Sequence, residues 1–334
     1  MNDHCATISP VQESTPRPLW SVMIPTYNCA SYLYETLPSV LGQDLGPDTM
    51  QIEVVDDHST KDNPEAVVKE LGGDRISFYR QPKNVGYIRN FETCLKRSRG
   101  QLIHLLHGDD IVLNGFYRKL ERVFKESPEI GAAFCRHILM DERGHWQSIS
   151  PLDQTETGIL GDALERIVVN CPLQCVSTVV KRDVYERVGG FDNRFVCCCE
   201  DWEMWARIAI HYQIGYVVEP LAAYRYMRIG SLTKESLRSG KYAQDMRKAH
   251  AIIASHLATH LSQTSASDLI RQSRTSFAFN ILGLANQMLD IGDTKGALVQ
   301  INEAIKCDPS VRTARQILRI FFTVGKRWLK EVVR

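Results

Sequence analysis

Two adjacent carboxylates, Asp109 and Asp110, follow an apolar run at residues 102–106. Such a run, bounded by turn residues, is typical of a buried strand, so the acids fall at its carboxyl end, where open α/β sheets bind their ligands. Neighbouring carboxylates repel each other unless a cation lies between them, and hard oxygen ligands suit Mg²⁺ or Mn²⁺ shared with a diphosphate. The pair therefore indicates a nucleotide site, although an acidic pair taken alone is more often a solvated turn.

Apolar runs and amphipathic stretches alternate through the first part of the chain. This alternation predicts an α/β fold, with a Rossmann-like, mostly parallel sheet covered by helices on both faces. The predicted strands are 20–24, 52–55, 76–79, 102–106 and 131–135, and the predicted helices are 31–41, 64–71, 87–97 and 115–125.

Two other predicted strand ends carry side chains that suit the same ligand. Tyr27 follows the first strand, and a tyrosine there can stack on a base or pack under its own loop. Asp57 follows the second strand, where its carboxylate can accept hydrogen bonds from a base or a ribose, or simply cap the next turn. The sequence contains neither the G-x-G-x-x-G turn nor the G-x-x-x-x-G-K-[ST] loop, which excludes those two nucleotide-binding classes.

Composition narrows the class of protein further. The 334 residues are 44% hydrophobic and 24% charged, and Lys+Arg 40 against Asp+Glu 39 gives a net charge of +1. With no overall positive field, no nucleic-acid partner is predicted. There is no apolar leader and no apolar stretch of about 20 residues, so a cytoplasmic protein, soluble or peripheral on the inner face of the membrane, is expected. The ten cysteines lack paired zinc spacing and are expected to be reduced.

Five short motifs occur in one order along the chain. In this order they resemble those of the inverting family 2 glycosyltransferases, which have the GT-A fold. The resemblance extends from residue 19 to about residue 235, roughly two thirds of the chain. The motifs lie at residues 21–28, 53–60, 84–90, 107–110 and 200–205.

The resemblance implies a nucleoside-diphosphate sugar donor, most commonly a UDP-sugar, and a bound Mn²⁺ or Mg²⁺ ion. It also implies transfer of the sugar, with inversion, to a hydroxyl of a glycan or lipid-linked acceptor in cell-surface polysaccharide or glycan assembly. Asp109 would bind the metal, and Asp110 would contact the metal or the sugar. The positions carried over as donor-binding are Pro25, Thr26, Tyr27, Asp57, Asn84, Arg89, His107, Asp109 and Asp110.

His107 departs from the family pattern, which has an aspartate at this first position of its D-x-D element. A neutral imidazole can bind Mn²⁺ or donate a hydrogen bond to a ribose, but it removes one anionic ligand. The sequence therefore predicts a metal site with fewer negative charges than is usual for the family.

Asp201 is the candidate catalytic base in the resemblance. An acceptor hydroxyl needs its proton drawn off in the transition state, and a nearby aspartate can do this. Trp202, Trp205 and Ile208 recur at helical spacing, so Asp201 falls in the first turn of a predicted helix, where acids are also ordinary capping residues. The preceding Glu200 is expected to orient the acceptor.

A later segment, residues 224–233, resembles the family loop that closes over the diphosphate. The usual histidine is absent, and Arg228 or Ser231 is the candidate replacement. A solvated arginine is the ordinary alternative. Between the two regions, residues 158–175 and 177–180 are expected to supply an edge strand and acceptor-side loops, with Cys175 and Cys197–Cys199 lining the acceptor pocket or packing as small buried residues.

Three segments are predicted: a flexible arm at 1–18, a GT-A domain at 19–235 and a helical region at 236–334. In the last, residues 281–309 resemble one tetratricopeptide-like hairpin. Residues 311–334 form a basic amphipathic helix that suits an anionic membrane surface, or docks on the protein itself. Its cations are Arg312, Arg315, Arg319, Lys326, Arg327, Lys330 and Arg334, against the single acid Glu331.

Two other classes compete with a glycosyltransferase. A phosphoacceptor receiver domain also pairs aspartates with a parallel sheet, but its acid pair follows the first strand, whereas Asp56 and Asp57 follow the second. A catalytically silent, glycosyltransferase-like scaffold that binds a nucleotide or sugar is favoured by His107 alone. Asp109 and Asp201 argue against it.

Overall fold

The computed structural model describes residues 4–12, 15, 17–226, 228 and 230–332, with side chains for all of these except 233 and 323–332. The chain divides into two compact units. The first comprises Met1–Ala163, Pro172–Arg194 and Arg207–Arg228, and the second comprises Leu164–Cys171, Phe195–Ala206 and Ile229–Arg334.

The first unit is built on a ten-stranded sheet, with the order β3-β2-β1-β4-β9-β6-β10-β5, β7 paired to β6 and β8 paired to β10. The strands are β1 (Trp20–Thr26), β2 (Met50–Asp56), β3 (Ser77–Arg80), β4 (Leu102–Leu105), β5 (Ile111–Val112), β6 (Ile130–Met140), β7 (Trp146–Ile149), β8 (Gly158–Ile159), β9 (Thr178–Lys181) and β10 (Gln213–Arg225). The α-helices among the described residues are α1 (Ala30–Leu41), α2 (Pro64–Gly72), α3 (Tyr87–Arg97), α4 (Phe116–Glu126), α5 (Ala163–Asn170), α6 (Arg182–Val188), α7 (Glu200–His211), α8 (Leu232–Leu237), α9 (Lys241–Leu257), α10 (Gln263–Asp290), α11 (Thr294–Cys307) and α12 (Val311–Val332).

Burial explains why these residues form these elements. Every residue of β1 and β2 is buried, as expected for strands covered on both faces. On α4 the buried side chains include Phe116, Leu120 and Val123, which recur at helical spacing and turn one face of the helix to the core. Each such side chain contributes about 1.5–3 kcal/mol when fully buried.

The predicted α/β class is confirmed, and the sheet is more mixed than predicted. Parallel ladders join β1 to β2 and β4, β2 to β3, and β6 to β10. The ladders made by β5, β7, β8 and β9 are antiparallel. The parallel strands β3, β2, β1 and β4 therefore provide the common edge at which the predicted donor-binding residues lie.

Residues 158–175 and 177–180 were expected to supply an edge strand, and residues 177–180 do not form one. Strand β9 lies inside the sheet, antiparallel to β4 on one side and to β6 on the other. The side chains of Thr178, Val179 and Val180 are buried, because both faces of the sheet are covered at this position. Alternation along the sequence reveals that a strand exists, but not which strands lie beside it.

The prediction of a loose arm at residues 1–18 is wrong for the part of it that the structure describes. Ile8 is only 1% exposed, and Cys5 forms an antiparallel bridge with Asp192. The carbonyl of Ala6 accepts a hydrogen bond from the amide of Gly190 at 2.7 Å. The buried Ile8 and these backbone hydrogen bonds hold the segment against the rest of the first unit, although its sequence has no periodic apolar pattern.

In the second unit, α10 and α11 follow each other through a tight turn. Gly292 adopts a positive φ of 79°, which glycine tolerates without strain. Asp293 then caps α11 by accepting a hydrogen bond from the amide of Gly296 at 3.2 Å. Ala297 and Ala304 are buried on α11. The tetratricopeptide-like character of this pair stays a prediction.

Helix α12 carries exposed apolar residues beside its cations. Leu318 and Phe322 are 68% and 65% exposed. The predicted cations at 326, 327, 330 and 334, together with Glu331, lie outside the side chains that the structure describes. No helix in the described part of the chain combines the length and apolar character that crossing a bilayer requires.

Candidate functional site

The end of β1 packs directly against the loop that carries the acid pair. The amide of Gly108 donates to the carbonyl of Pro25 at 3.1 Å, and the amide of Asp57 donates to the carbonyl of Thr26 at 2.9 Å. A Cβ at Gly108 would lie 3.1 Å from Oγ1 of Thr26 and 3.2 Å from Sγ of Cys29, so only glycine allows this approach without displacing a neighbour. Three predicted strand ends therefore meet at one edge of the first unit.

Asp57 organises the loop that precedes α3. Its Oδ1 accepts the amide of Val85 at 2.7 Å, and its Oδ2 accepts the amide of Gly86 at 3.0 Å. The side chain of Asn84 donates to the carbonyl of Asp57 at 3.1 Å. Burial raises the pKa of Asp57, while these two amides oppose the shift. The carboxylate thus holds the loop, and each oxygen keeps one lone pair for a ligand.

Tyr27, Asn84 and Arg89 are exposed around this edge. Tyr27 is 44% exposed, which leaves its ring available for stacking on a base. Arg89 lies in the first turn of α3. These three predicted donor-binding residues are therefore at the surface of the first unit, next to the loop that Asp57 holds.

Asp109 forms an ion pair with Arg228. Arg228 was one of two candidates for the diphosphate loop, so the sequence identified both partners but not their contact. Burial lowers the pKa of Arg228, but the Asp109 carboxylate outweighs it and raises that pKa overall. In this arrangement the predicted metal-binding carboxylate is neutralised by a side chain.

Asp110 is buried, and its two oxygens differ. Oδ1 accepts the backbone amide of Arg225 at 2.8 Å, whereas Oδ2 has no hydrogen-bond partner among the described residues. Burial, with the neighbouring Asp109 carboxylate, raises the pKa of Asp110 well above its usual range. Oδ2 of Asp110 is therefore a buried oxygen that lacks a hydrogen-bond partner, and either a proton or a cation would stabilise it.

Arg225 is a site residue that sequence reasoning missed. It is buried, and its Nε donates to the carbonyl of Asp109 at 2.9 Å while Nη2 contacts Oε2 of Glu35 at 3.0 Å. Its guanidinium lies 4.7 Å from the ring centre of Tyr32, over which Arg228 also lies at 5.3 Å. The sequence did carry a signal for this residue, which is an arginine at the end of an apolar strand. An arginine buried at such a position needs hydrogen-bond acceptors around it, and such acceptors are found at a site of this kind.

The imidazole ring of His107 packs against another aromatic side chain. It stacks on Phe91 with ring centres 5.0 Å apart and planes 18° apart. Its Nδ1 lies 3.9 Å from Oδ2 of Asp110, and its Nε2 is buried without a partner among the described residues. Burial lowers the pKa of His107, so the imidazole is neutral at neutral pH and can act as a ligand or a hydrogen-bond donor.

The ligands offered by Asp109, Asp110 and His107 fit a divalent ion whose remaining ligands come from the substrate. Within the residues that the structure describes, no third His, Cys or acidic ligand atom joins Asp109 and Asp110 in one compact cluster. Mg²⁺ and Mn²⁺ commonly use one or two carboxylates and take their other ligands from phosphates and water. The unpartnered Oδ2 of Asp110 and Nε2 of His107 are further donors of a suitable kind.

Asp201 and Glu200 lie at the start of α7, in the second unit. Oδ1 of Asp201 accepts the amide of Trp202 at 2.7 Å, and burial raises the pKa of Asp201 to about 6. The indole of Trp202 donates to the carbonyl of Ile167 at 2.8 Å and stacks on Phe277 at 4.3 Å. The helix start is thus anchored by its aromatic residue, and Asp201 has the pKa that suits a general base near neutral pH.

Ser231, the other candidate for the diphosphate loop, is the N-cap of α8 in the second unit. Its hydroxyl accepts the amide of Lys234 at 3.3 Å. This is the ordinary role of a serine at a helix start. The structure therefore gives Ser231 a helix-capping role.

The fold is that of a GT-A glycosyltransferase. The chain is similar to the crystal structure of Staphylococcus aureus TarS 1–349 in complex with UDP-GlcNAc, with a TM-score of 0.67 and 16% identity over 93% of this chain and 92% of that one. It is also similar to the mannosyltransferase PcManGT from Pyrobaculum calidifontis in complex with GDP-Man and Mn²⁺, with a TM-score of 0.55 and 17% identity over 90% and 89% of the two chains.

Sequence comparison defines the family. Residues 21–186 match the family described as glycosyl transferase family 2. The chain is 37% identical over 238 residues to an uncharacterized protein of Mycobacterium tuberculosis, a match that covers 68% of this chain and 73% of that protein. It is 31% identical over 229 residues to the minor teichoic acid biosynthesis protein GgaB of Bacillus subtilis, covering 66% of this chain and 24% of GgaB. The chain belongs to glycosyl transferase family 2 and is a glycosyltransferase.

Proposed function

We propose that the protein transfers a sugar from a nucleoside-diphosphate sugar to an acceptor hydroxyl, with inversion and with the help of a divalent ion. The observation that carries this proposal is the meeting of three strand ends, through the backbone bonds of Pro25, Thr26, Asp57 and Gly108. In open α/β sheets this edge is where nucleotides bind. The UDP-GlcNAc complex of the similar TarS fold supports a UDP-sugar as the donor.

Tyr27 and Asp57, with Pro25 and Thr26, would bind the base and the ribose. The exposed Tyr27 ring offers a stacking surface, and the free lone pairs of Asp57 accept N–H or O–H groups. Asn84 and Arg89 are exposed beside the same loop and would face the rest of the donor.

Asp109 would hold the metal ion, with Asp110 and His107 beside it. The Mn²⁺ in the similar PcManGT fold supports a divalent ion. When bound, the ion would neutralise the negative charge that develops on the departing diphosphate. Arg228 is paired with Asp109, and its planar guanidinium is suited to contact a phosphate oxygen of the donor.

Asp201 would be the base that takes the proton of the acceptor hydroxyl. Its raised pKa of about 6 leaves it ionised at neutral pH but more basic than an ordinary aspartate, which favours proton transfer. Glu200 is also buried and would orient the acceptor. Ser231 would contribute to the diphosphate side only after giving up its capping bond.

The acceptor is proposed to be a glycan or a lipid-linked polymer of the cell surface. The likeness to GgaB, whose name refers to minor teichoic acid biosynthesis, supports this class.

Donor binding is expected to require both the correct base and the metal. In a thermal-shift panel of UDP- and GDP-sugars with and without Mn²⁺, we expect the matching donor to raise Tm by roughly 5 °C at about 100 times its Kd, because a ligand of the native state stabilises it by about 2.7 kcal/mol. Mn²⁺ without a donor is the control. A panel in which no nucleotide sugar raises Tm above the Mn²⁺ control would contradict the proposal.

The exposed apolar and basic residues of α12 are proposed to bind an anionic membrane surface, where a lipid-linked acceptor would be found. We expect deletion of residues 311–334 to reduce sedimentation with vesicles containing anionic lipid by at least about tenfold, since each surface cation contributes about 1 kcal/mol. Vesicles of neutral lipid are the control. Equal sedimentation of the full chain with neutral and anionic vesicles would overturn this idea.

A further inference from the structure

Three consecutive cysteines lie directly before α7 in the second unit. The Sγ atoms of Cys197 and Cys198 are 4.0 Å apart, and those of Cys198 and Cys199 are 3.3 Å apart. A carboxylate oxygen of Asp245, on α9, completes a group with Cys197 and Cys198 in which all ligand atoms lie within 4.8 Å of one another. It is the one group of three metal-ligating side chains of this compactness among the described residues.

The spacing of the two sulfurs is close to that required by one metal ion. Zinc binds thiolates at about 2.3 Å in tetrahedral geometry, which places two sulfurs about 3.8 Å apart. The 4.0 Å between Cys197 and Cys198 therefore needs an adjustment of only a few tenths of an ångström.

The carboxylate of Asp245 is held in place by the segment that carries the thiols. Its Oδ2 accepts the amides of Val196 and Cys197 at 2.7 and 2.8 Å, and its Oδ1 accepts Nζ of Lys248 at 2.8 Å. Hydrogen bonds of this kind orient the carboxylates that bind metals in proteins. Asp245 is itself buried, so its position is fixed before any ion arrives.

The charges also balance. Two thiolates and one carboxylate carry three negative charges, and a divalent ion with the ammonium group of Lys248 supplies three positive charges. A buried site tolerates this arrangement far better than unpaired thiolates, because isolated buried charges are costly.

We propose that Cys197, Cys198 and Asp245 bind one ion of the zinc class, with water as the fourth ligand. Thiolate ligands select soft or borderline ions and discriminate against Mg²⁺ and Mn²⁺. The site therefore differs in chemistry from the oxygen site around Asp109. Its two cysteines directly precede Cys199, whose φ of 70° is an uncommon left-handed conformation.

The test uses the full chain, purified with a reductant and then freed of metal by a chelator. Titration with Cd²⁺, a spectroscopic probe for zinc–thiolate sites, is expected to give a thiolate-to-cadmium ultraviolet absorption band that saturates at one ion per chain and raises Tm. An excess of Mn²⁺ is expected neither to produce the band nor to prevent it. The double variant Cys197→Ser/Cys198→Ser is expected to lose the band, whereas Cys171→Ser, which removes a thiol elsewhere in the same unit, is expected to keep it.

Asp245→Asn guards against loss of folding, because asparagine retains an acceptor oxygen for the two amides while losing the charge. We expect it to keep the circular dichroism spectrum and to weaken Cd²⁺ binding by at least about tenfold. The proposal is overturned if the reduced wild-type chain gives no band, if the double cysteine variant gives the same band, or if a Cys198–Cys199 disulfide persists after reduction. Mn²⁺-dependent donor binding is measured separately, so failure here leaves the proposed transferase function standing.

Discussion

Asp201→Asn is expected to lower kcat by about 10²- to 10⁴-fold, the usual contribution of a general base, and to leave the Kd for the donor unchanged. Asparagine retains an oxygen that can accept the hydrogen bond from the amide of Trp202, which Asp201 accepts at 2.7 Å. The start of α7 should therefore keep its structure in the variant. The amide side chain cannot take up the acceptor proton. Steady-state kinetics together with calorimetric donor binding measure the two quantities.

The pH profile gives a second test of the same residue. Burial raises the pKa of Asp201 to about 6, and an aspartate is a base only when ionised, so kcat/KM is expected to fall as the pH drops through about 6. An unperturbed aspartate would keep its charge down to a pH of about 4. The residual activity of Asp201→Asn should lack this limb, and a limb that persists in the variant would contradict the assignment.

A matched control separates catalysis from helix capping. Asp183 occupies the first turn of α6, as Asp201 does in α7, and it has no proposed role in transfer. Loss of a carboxylate at a helix start costs only about 0.3–1 kcal/mol of stability through the helix dipole. Asp183→Asn is therefore expected to retain full kcat, and an equal loss in both variants would reduce Asp201 to a capping residue.

The sequence was sufficient to predict the elements whose pattern is local. Helix α3 lies at the predicted residues 87–97, and β1 and β2 contain the predicted apolar runs because both of their faces are buried. The position of a strand within the sheet depends on partners far away in the chain. Thr178–Lys181 pairs with residues more than 40 positions earlier, and nothing in its own four residues reveals this.

The same distinction applies to the site. Asp57 and Asp109 could be selected because each follows a predicted strand, and parallel strands end at a common edge. The pair between Asp109 and Arg228 joins residues 119 positions apart, and the acceptors of Arg225 come from several separate segments. Such contacts arise from tertiary packing, so residue type and spacing indicated candidates without indicating which of them would meet.

The ion pair between Asp109 and Arg228 makes the metal assignment testable in a specific way. Asp109→Ala removes the proposed metal ligand and also leaves Arg228 without this carboxylate. Arg228→Ala breaks the same ion pair but keeps the carboxylate. If Asp109 acts through the metal, the two variants should differ, whereas they should agree if the ion pair only stabilises the loop.

Asp109→Ala is expected to abolish the Mn²⁺-dependent part of donor binding and to lower kcat by about 10²- to 10³-fold, the range found when one electrostatic contact to developing charge is lost. Arg228→Ala is expected to retain a donor affinity that rises with Mn²⁺, because Asp109 remains to hold the ion. Calorimetric titrations with and without Mn²⁺ compare the variants at equal ionic strength, since arginine–phosphate contacts are themselves screened by salt. Donor affinity in Asp109→Ala equal to that of the wild type, with Mn²⁺ present, would show that the ion is bound elsewhere or is not required.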